Sequence, residues 1–502
     1  MSGLAALLVP ALRWDRAHGF DYLAGTIDDA LELGVGGFLI RGGPREAVAA
    51  LAADLHERSH TPLLLAADVE RGAGQQFEGC TGLPPLASLG QQLPSQVSRL
   101  PSDNSRPSAP DPRLFRRSAT ITARELKQLQ LNWALAPVCD LDLEPGSQIV
   151  GTRSAGADPA RISPLLEEWI DACQAEGVLA CAKHFPGHGR ATEDSHRGLP
   201  VVHARAGQLT HEDLAPFRAA IEAGVASVMT AHVAYPSLDP SGVAATLSAP
   251  ILRDLLRREL GFDGLVASDG LDMEGLLAAG AEADVAQRAL SAGCDVLLAP
   301  MDLAGTARAL DRAAHQGVLS ADRVRDALER RNRWAEWGSP ATGRATTLDD
   351  EMWARQLADQ SVSLLRGALP RVGDAVEIVQ VDDDAGGAWP VPSREHFAAA
   401  LRSLDKDAPV VAEPSSNTRV PVLIAAYADV VEWKGTTGFS AASLATIGRA
   451  LAAAATRNRE TLVVLFSHPR HAAQLPDAPN VLCAWGGEPP MQSAAARVIS
   501  RS

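Results

Sequence analysis

The densest chemistry in the chain lies in one 14-residue run, KHFPGHGRATEDSH, from Lys183 to His196. Pro186, Gly187 and Gly189 make it a loop with unusual backbone demands. Three chemistries compete for it. His184, His188 and His196 could hold a metal, but their spacing is not a helical H-x-x-x-H and Lys183 would repel a cation. The histidines could simply be hydrogen-bonded parts of a structural loop. Or Asp194 polarises His196 across the Asp-Ser-His turn, fixing its tautomer and making it a proton donor and acceptor near neutral pH. The third is favoured, and no metal or cofactor is expected. A second candidate is Asp269, which follows the apolar run Gly264–Ala267. It is placed to act as nucleophile or base. A cap for a following helix would explain it equally well, and Asp272 and Glu274 lie close by.

These residues need elements to position them. From the start to about residue 335, apolar runs alternate with amphipathic segments. The expected strands are Ala5–Pro10, Gly36–Ile40, Pro62–Ala67, Asn132–Val138, Val178–Ala182, Ala226–Thr230, Gly264–Ala267 and Cys294–Ala299. Helical patterns lie between them, at Tyr22–Leu33, Pro44–Leu55, Leu114–Leu129, Ile162–Gln174, Leu214–Ala223, Ala249–Leu260 and Val285–Ala292. Eight such strands at this length predict an α/β fold of the (β/α)₈ TIM-barrel type over 1–338. No G-x-G-x-x-G follows a strand, which disfavours a doubly wound dinucleotide fold. The stretch 80–113 is rich in Pro, Ser, Asp and Asn without a period, and reads as an insertion. A linker is expected over 339–350. A smaller α/β sandwich then follows over 351–502, with apolar runs at Val376–Val381, Val420–Ala426, Thr461–Ser467 and Asn480–Ala484. Its expected role is to pack against the barrel or to mediate a homodimer.

Barrel enzymes place their chemistry at the C-terminal ends of the strands. Here those ends carry Asp68, Asp140 and Asp142, Lys183-His184, His232, Ser268-Asp269 and Asp302. Polar groups spread by solvation alone would occupy both ends of the strands.

The net charge of −15 disfavours nucleic acid and anionic membrane surfaces as partners. The six cysteines form no C-x-x-C pair and sit mostly in apolar runs, so reduced buried thiols and a cytoplasmic location are expected. The N-terminal apolar stretch lacks a basic region and is broken by Pro10, so it reads as a first strand rather than a signal peptide. No apolar run reaches membrane-spanning length.

KHFPGHG followed by Asp194-Ser195-His196 resembles glycoside hydrolase family 3, and most of all its bacterial β-N-acetylglucosaminidases. GTRSAG around Arg153, APVCDLD, MTAHVAYPSLD and the run ATLSAPILRDLLRRELGFDGLVASD into SDGLDM support the match over about residues 1–335. The resemblance implies a retaining exo-acting β-N-acetylhexosaminidase with two displacements. Asp269 would form the glycosyl-enzyme, and His196 paired with Asp194 would replace the usual second carboxyl group as acid and base. By the same resemblance Asp68, Arg153, Lys183 and His184 would bind the sugar, with Met229 and His232 lining the pocket and His188 shaping the loop. The expected partners are saccharides containing N-acetylglucosamine, among them muropeptides in peptidoglycan recycling. Phosphate is a candidate acceptor, because a neutral imidazole does not repel an anion. Phosphorolysis and β-glucoside hydrolysis are thus variants of the same site. The family usually carries Asp-x-Glu-Gly-Gly-Arg after strand three, whereas this chain reads Asp68-Val69-Glu70-Arg71-Gly72-Ala73-Gly74. Two readings from other classes are a Schiff-base lyase using Lys183 and a non-catalytic sugar-binding protein.

Overall fold

The computed structural model describes residues 3–90, 110–338, 344–384, 391–429 and 434–502. Residues 91–109 of the expected insertion and 339–343 of the expected linker therefore lie outside the described residues. The chain divides into two compact units. The first comprises Met1–Thr81, Asp111–Glu144 and Gly156–Thr347, and the second Gly82–Pro110, Pro145–Ala155 and Leu348–Ser502.

In the first unit short apolar segments form parallel strands. They are β1 (Leu8–Val9), β2 (Ala11–Arg13), β3 (Gly37–Arg41), β4 (Leu64–Ala67), β5 (Trp133–Ala134), β6 (Cys181–Phe185), β7 (Ser227–Thr230), β8 (Leu265–Gly270) and β9 (Val296–Leu298). One sheet has the order β1-β9-β8-β7-β6 and another β2-β3-β4-β5. Of the expected first strand Ala5–Pro10 only Leu8–Val9 is extended, after a 3-10 turn over Leu4–Leu7, and a second strand follows Pro10, which has no N–H to give to a ladder. Between β5 and β6 the backbone pairs as isolated bridges, Trp133 with Leu179 and Val138 with Lys183. The Cys181 N–H donates to the Ala136 carbonyl over 2.7 Å, and the Cys139 N–H to the Lys183 carbonyl over 2.7 Å. The strands are buried on both faces, which is why they read as apolar runs rather than alternating ones. Several connecting helices start on a cap the sequence supplies. Asp111 and Asp158 each accept from the backbone two residues on and are followed by Pro at the first helical position.

Among its described residues the second unit has six strands: β10 (Ser363–Arg366), β11 (Glu377–Asp382), β12 (Val410–Val411), β13 (Val422–Tyr427), β14 (Thr461–Phe466) and β15 (Val481–Cys483). Their order is β10-β15-β14-β13-β11-β12, parallel except for β10 against β15. Apolar clusters cover both faces, one with Phe397, Leu401, Met491 and Ile499, the other with Phe439, Ile447, Ala450 and Leu475. The single cut expected near 339–350 differs from this division, because Gly82–Pro110 and Pro145–Ala155 belong with the second unit. Ala87 is in the same apolar cluster as Val422 and Phe439, and the Ser88 hydroxyl lies 3.4 Å from that of Ser361. Among the described residues no helix is long and apolar enough to cross a membrane.

Candidate active site

Strand β6 carries the first candidate functional residues within its own length. It ends three residues later than its apolar run suggests, so Lys183 and His184 are strand residues rather than loop residues. The β6–β7 pairing shifts register between Ala182 and Phe185, and the β8–β9 pairing between Ala267 and Gly270. Such irregularities re-aim side chains at strand ends. Here they fall on Lys183-His184 and on Asp269.

Lys183 is only 2% exposed. Its ammonium donates to Asp68 Oδ1 over 2.9 Å and pairs with Glu70 Oε1 at 2.8 Å. An ammonium held by two carboxylates is a fixed hydrogen-bond donor, not the free amine a Schiff base needs. His184 pairs through Nδ1 with Asp140 Oδ2 at 2.7 Å. Asp140 Oδ1 accepts the backbone N–H groups of His184 and His188, over 3.1 and 2.6 Å. Burial pushes the Asp140 carboxyl up, but the facing imidazoles and these hydrogen bonds outweigh it and hold it below its ordinary value. With Nδ1 committed to Asp140, Nε2 of His184 faces Asp269 Oδ2 at 4.0 Å.

Asp269 lies inside β8, and the next helix starts at Glu274, so the cap reading is excluded. Its Oδ1 accepts the N–H of Gly270 over 2.8 Å. Burial raises the tendency of its carboxyl to keep a proton. The neighbouring rings of His184, His232 and His196 and the Gly270 N–H outweigh that, leaving it far below the usual carboxylate range. The competing acids are otherwise occupied. Asp272 faces Arg41 at 3.7 Å, and Glu274 is exposed in the first turn of its helix. Asp302 caps the helix after β9 by accepting from the Gly305 N–H.

The Asp-Ser-His turn forms as its spacing predicts. Asp194 Oδ1 takes both the backbone N–H of His196, over 2.9 Å, and its ring Nδ1, over 2.8 Å. The Asp194 side chain is 1% exposed and that of His196 31%, so a buried carboxylate backs an accessible imidazole. His188 contacts the Ser195 hydroxyl through Nε2 at 3.3 Å and so shapes the loop from within. The loop is tied to the segment after Asp269, because the Gly275 N–H donates to the Ser195 carbonyl over 3.0 Å. A Cβ on Gly275 would sit 2.4 Å from the carbonyl oxygens of both Ser195 and Gly198. The approach of loop to helix therefore depends on the missing side chain.

With this constellation in place the comparisons are specific. The model of the glycosyl hydrolase family 3 N-terminal domain matches residues 32–333, more than half of the chain. The chain belongs to glycosyl hydrolase family 3. It is 38% identical over 252 residues to a β-hexosaminidase of Thiobacillus denitrificans, a match covering 50% of this chain and 66% of that protein. It is 31% identical over 398 residues to a β-N-acetylglucosaminidase/β-glucosidase of Cellulomonas fimi, covering 74% of this chain and 67% of the relative. Among solved structures, a family 3 β-N-acetylglucosaminidase from Paenibacillus sp. str. FPU-7 aligns with a TM-score of 0.82 at 27% identity, over 100% of this chain and 96% of its own.

The first unit thus brings together Asp68, Lys183, His184 and Asp269, with the Asp194–His196 pair close enough for the His196 charge to act on Asp269. Met229, His232 and Arg153, also expected at the sugar, have the following surroundings. Met229 is 2% exposed and belongs to the apolar strand cluster with Leu135 and Ala267. His232 is fully buried, its Nε2 on the Gly270 carbonyl and its Nδ1 on the Thr246 hydroxyl. Arg153 belongs to the second unit, where its Nη1 donates to the Ile149 carbonyl over 3.1 Å. Glu70, Asp140, Thr246 and Gly275 were not singled out from the sequence as site residues. Asp140 had a signal, as a carboxylate at the end of a strand. The others act through partners distant in sequence.

Proposed function

We propose that the protein is a retaining, exo-acting β-N-acetylhexosaminidase. The observation that carries this is the accessible imidazole of His196, backed by a buried Asp194 and docked on the segment that follows Asp269. Asp269 Oδ2 attacks the anomeric carbon and forms the glycosyl-enzyme. The bond to the leaving oxygen breaks as the imidazolium of His196 gives that oxygen its proton. In the second displacement His196 takes a proton from water, whose oxygen replaces Asp269 on the sugar with net retention. Asp194 stabilises the imidazolium each time it forms. Asp68, Lys183 and His184 hold the ring hydroxyls. The two parallel sheets of the first unit are read as one (β/α)₈ barrel, because β1 and β2 are separated by Pro10 alone and the β5–β6 bridges join the sheets on the other side. Residues 351–502 form the core of the appended α/β domain. Six free thiols suit a cytoplasmic enzyme acting on muropeptides or other N-acetylglucosaminides.

Product analysis with p-nitrophenyl N-acetyl-β-glucosaminide, with and without phosphate, tests the proposal. The expected product is free N-acetylglucosamine, released first as the β-anomer. Sugar 1-phosphate would make the enzyme a phosphorylase. The corresponding glucoside belongs in the same experiment, since the Cellulomonas relative is named for both activities. Preference for it would replace the substrate class, and absence of turnover on either would refute the proposal.

A further inference from the structure

His232 has both ring nitrogens engaged and no exposed surface, so it has nothing left with which to touch a sugar. Its partners say what it does instead. Nε2 lies 2.9 Å from the Gly270 carbonyl oxygen, which can only accept, so Nε2 carries a proton. Burial, reinforced by the neighbouring imidazoles, outweighs the pull of Asp269 and lowers the pKa of this ring, which favours the neutral form. In a neutral ring Nδ1 must then accept. The Thr246 hydroxyl lies 2.7 Å from Nδ1 and 3.2 Å from the Ala231 carbonyl, so its proton goes to the ring. The Thr230 hydroxyl, 2.8 Å from Thr246 Oγ1, completes the chain as donor. All three side chains are fully buried.

We infer that Thr230, Thr246 and His232 form a buried positioning relay that pins Gly270, so that Asp269 Oδ1 stays on the Gly270 N–H and Oδ2 is the oxygen that attacks. Gly270 is held at both of its backbone groups, by Asp269 Oδ1 at 2.8 Å and by His232 at 2.9 Å. The relay touches no reacting atom. Its effect is on the alignment of the carboxylate, and it rests on the assignment of Asp269 as nucleophile.

The test uses the full chain with Thr246→Val, Thr246→Ser and His232→Gln. Steady-state kinetics are combined with trapping by an activated fluorosugar, and the labelled peptide is mapped by mass spectrometry. Thr246→Val should lower kcat and the trapping rate about tenfold with KM changed less than about twofold, the pattern of lost alignment rather than lost binding. Thr246→Ser should restore most of the loss, and His232→Gln, which keeps a donor and an acceptor, should fall between. Should Thr246→Val not fold, Thr230→Val removes the next hydroxyl and is read by the same split. Label on Asp269 at the wild-type rate in the valine variants, or a loss confined to KM, would overturn the relay while the nucleophile assignment stands. Label on another carboxylate would overturn that assignment, and the relay with it.

Discussion

Replacing Gly275 by alanine should damage catalysis while leaving Asp194, His196 and Asp269 chemically intact. The added Cβ would stand 2.4 Å from the carbonyl oxygens of Ser195 and Gly198, whereas ordinary contact begins at 3.4 Å, so loop and helix must separate by about 1 Å. Neither side yields easily. The obstructing atoms are backbone, and the Gly275 N–H already bonds the Ser195 carbonyl at 3.0 Å. Overpacking of this kind costs ~1–3 kcal/mol of stability. A displacement of about 1 Å at a proton-transfer group costs about 10²-fold in rate. The assay is kcat/KM for a series of aryl N-acetylglucosaminides with graded leaving groups. The loss should reach about 10²-fold for poor leaving groups, which in the proposed mechanism need the proton from His196, and shrink for dinitrophenolate-like ones, which do not. A uniform loss across the series, or activity within about threefold of wild type in a folded variant, would refute the claim that Gly275 seats the acid/base loop.

Asp194→Asn should lower kcat by ~10²–10⁴-fold in single-turnover and steady-state assays, because the amide cannot stabilise the imidazolium. Lys183→Met leaves Asp68 and the buried Glu70 without their shared cation, and thermal or urea unfolding should show a loss of ~3–5 kcal/mol. Adding Glu70→Gln to that variant should recover part of it. The folded Asp269 carboxyl is held below its ordinary value of 3.8, so its ionised form stabilises the fold above that pH and the contribution is lost as pH falls toward the folded value. Tm of Asp269→Asn should therefore fall less steeply than wild type below about pH 4. Equal slopes would contradict the electrostatics assigned to the site.

Much of the first unit was legible because parallel strands buried on both faces leave continuous apolar runs. All eight expected strands have a counterpart. What was not legible has definite physical causes. The C-terminal boundary of β6 was missed because Lys183 and His184 look like loop residues by polarity. Their charges are tolerated in a strand through Asp68, Glu70 and Asp140, which are far away in sequence. Strands β10 and β12 were missed because they sit at the sheet edges, one half-exposed and one of two residues. Segments Gly82–Pro110 and Pro145–Ala155 were assigned by their position in sequence, whereas apolar contacts such as those of Ala87 decide where they belong. Asp302, which looked like one more functional strand end, is a helix cap.

The three histidines around Asp269 show why a census of strand ends finds a site more readily than it divides the labour within it. His184 lies in β6, His196 and His232 follow β6 and β7, and all three rings lie near enough to Asp269 to help keep its carboxyl ionised. Their exposure separates them. His196, with 31% of its side chain accessible and Asp194 behind it, can meet a leaving group or water and so is fitted to move protons. His184, with 6% accessible, is fixed by Asp140 and faces Asp269 Oδ2, which suits a residue that holds the sugar beside the proposed nucleophile. His232 has no accessible surface and spends both nitrogens on Gly270 and Thr246, which leaves alignment as its only chemistry. An imidazole is one residue type with three available functions. Burial and the partner on the second nitrogen select among them, and both are set by residues from other strands.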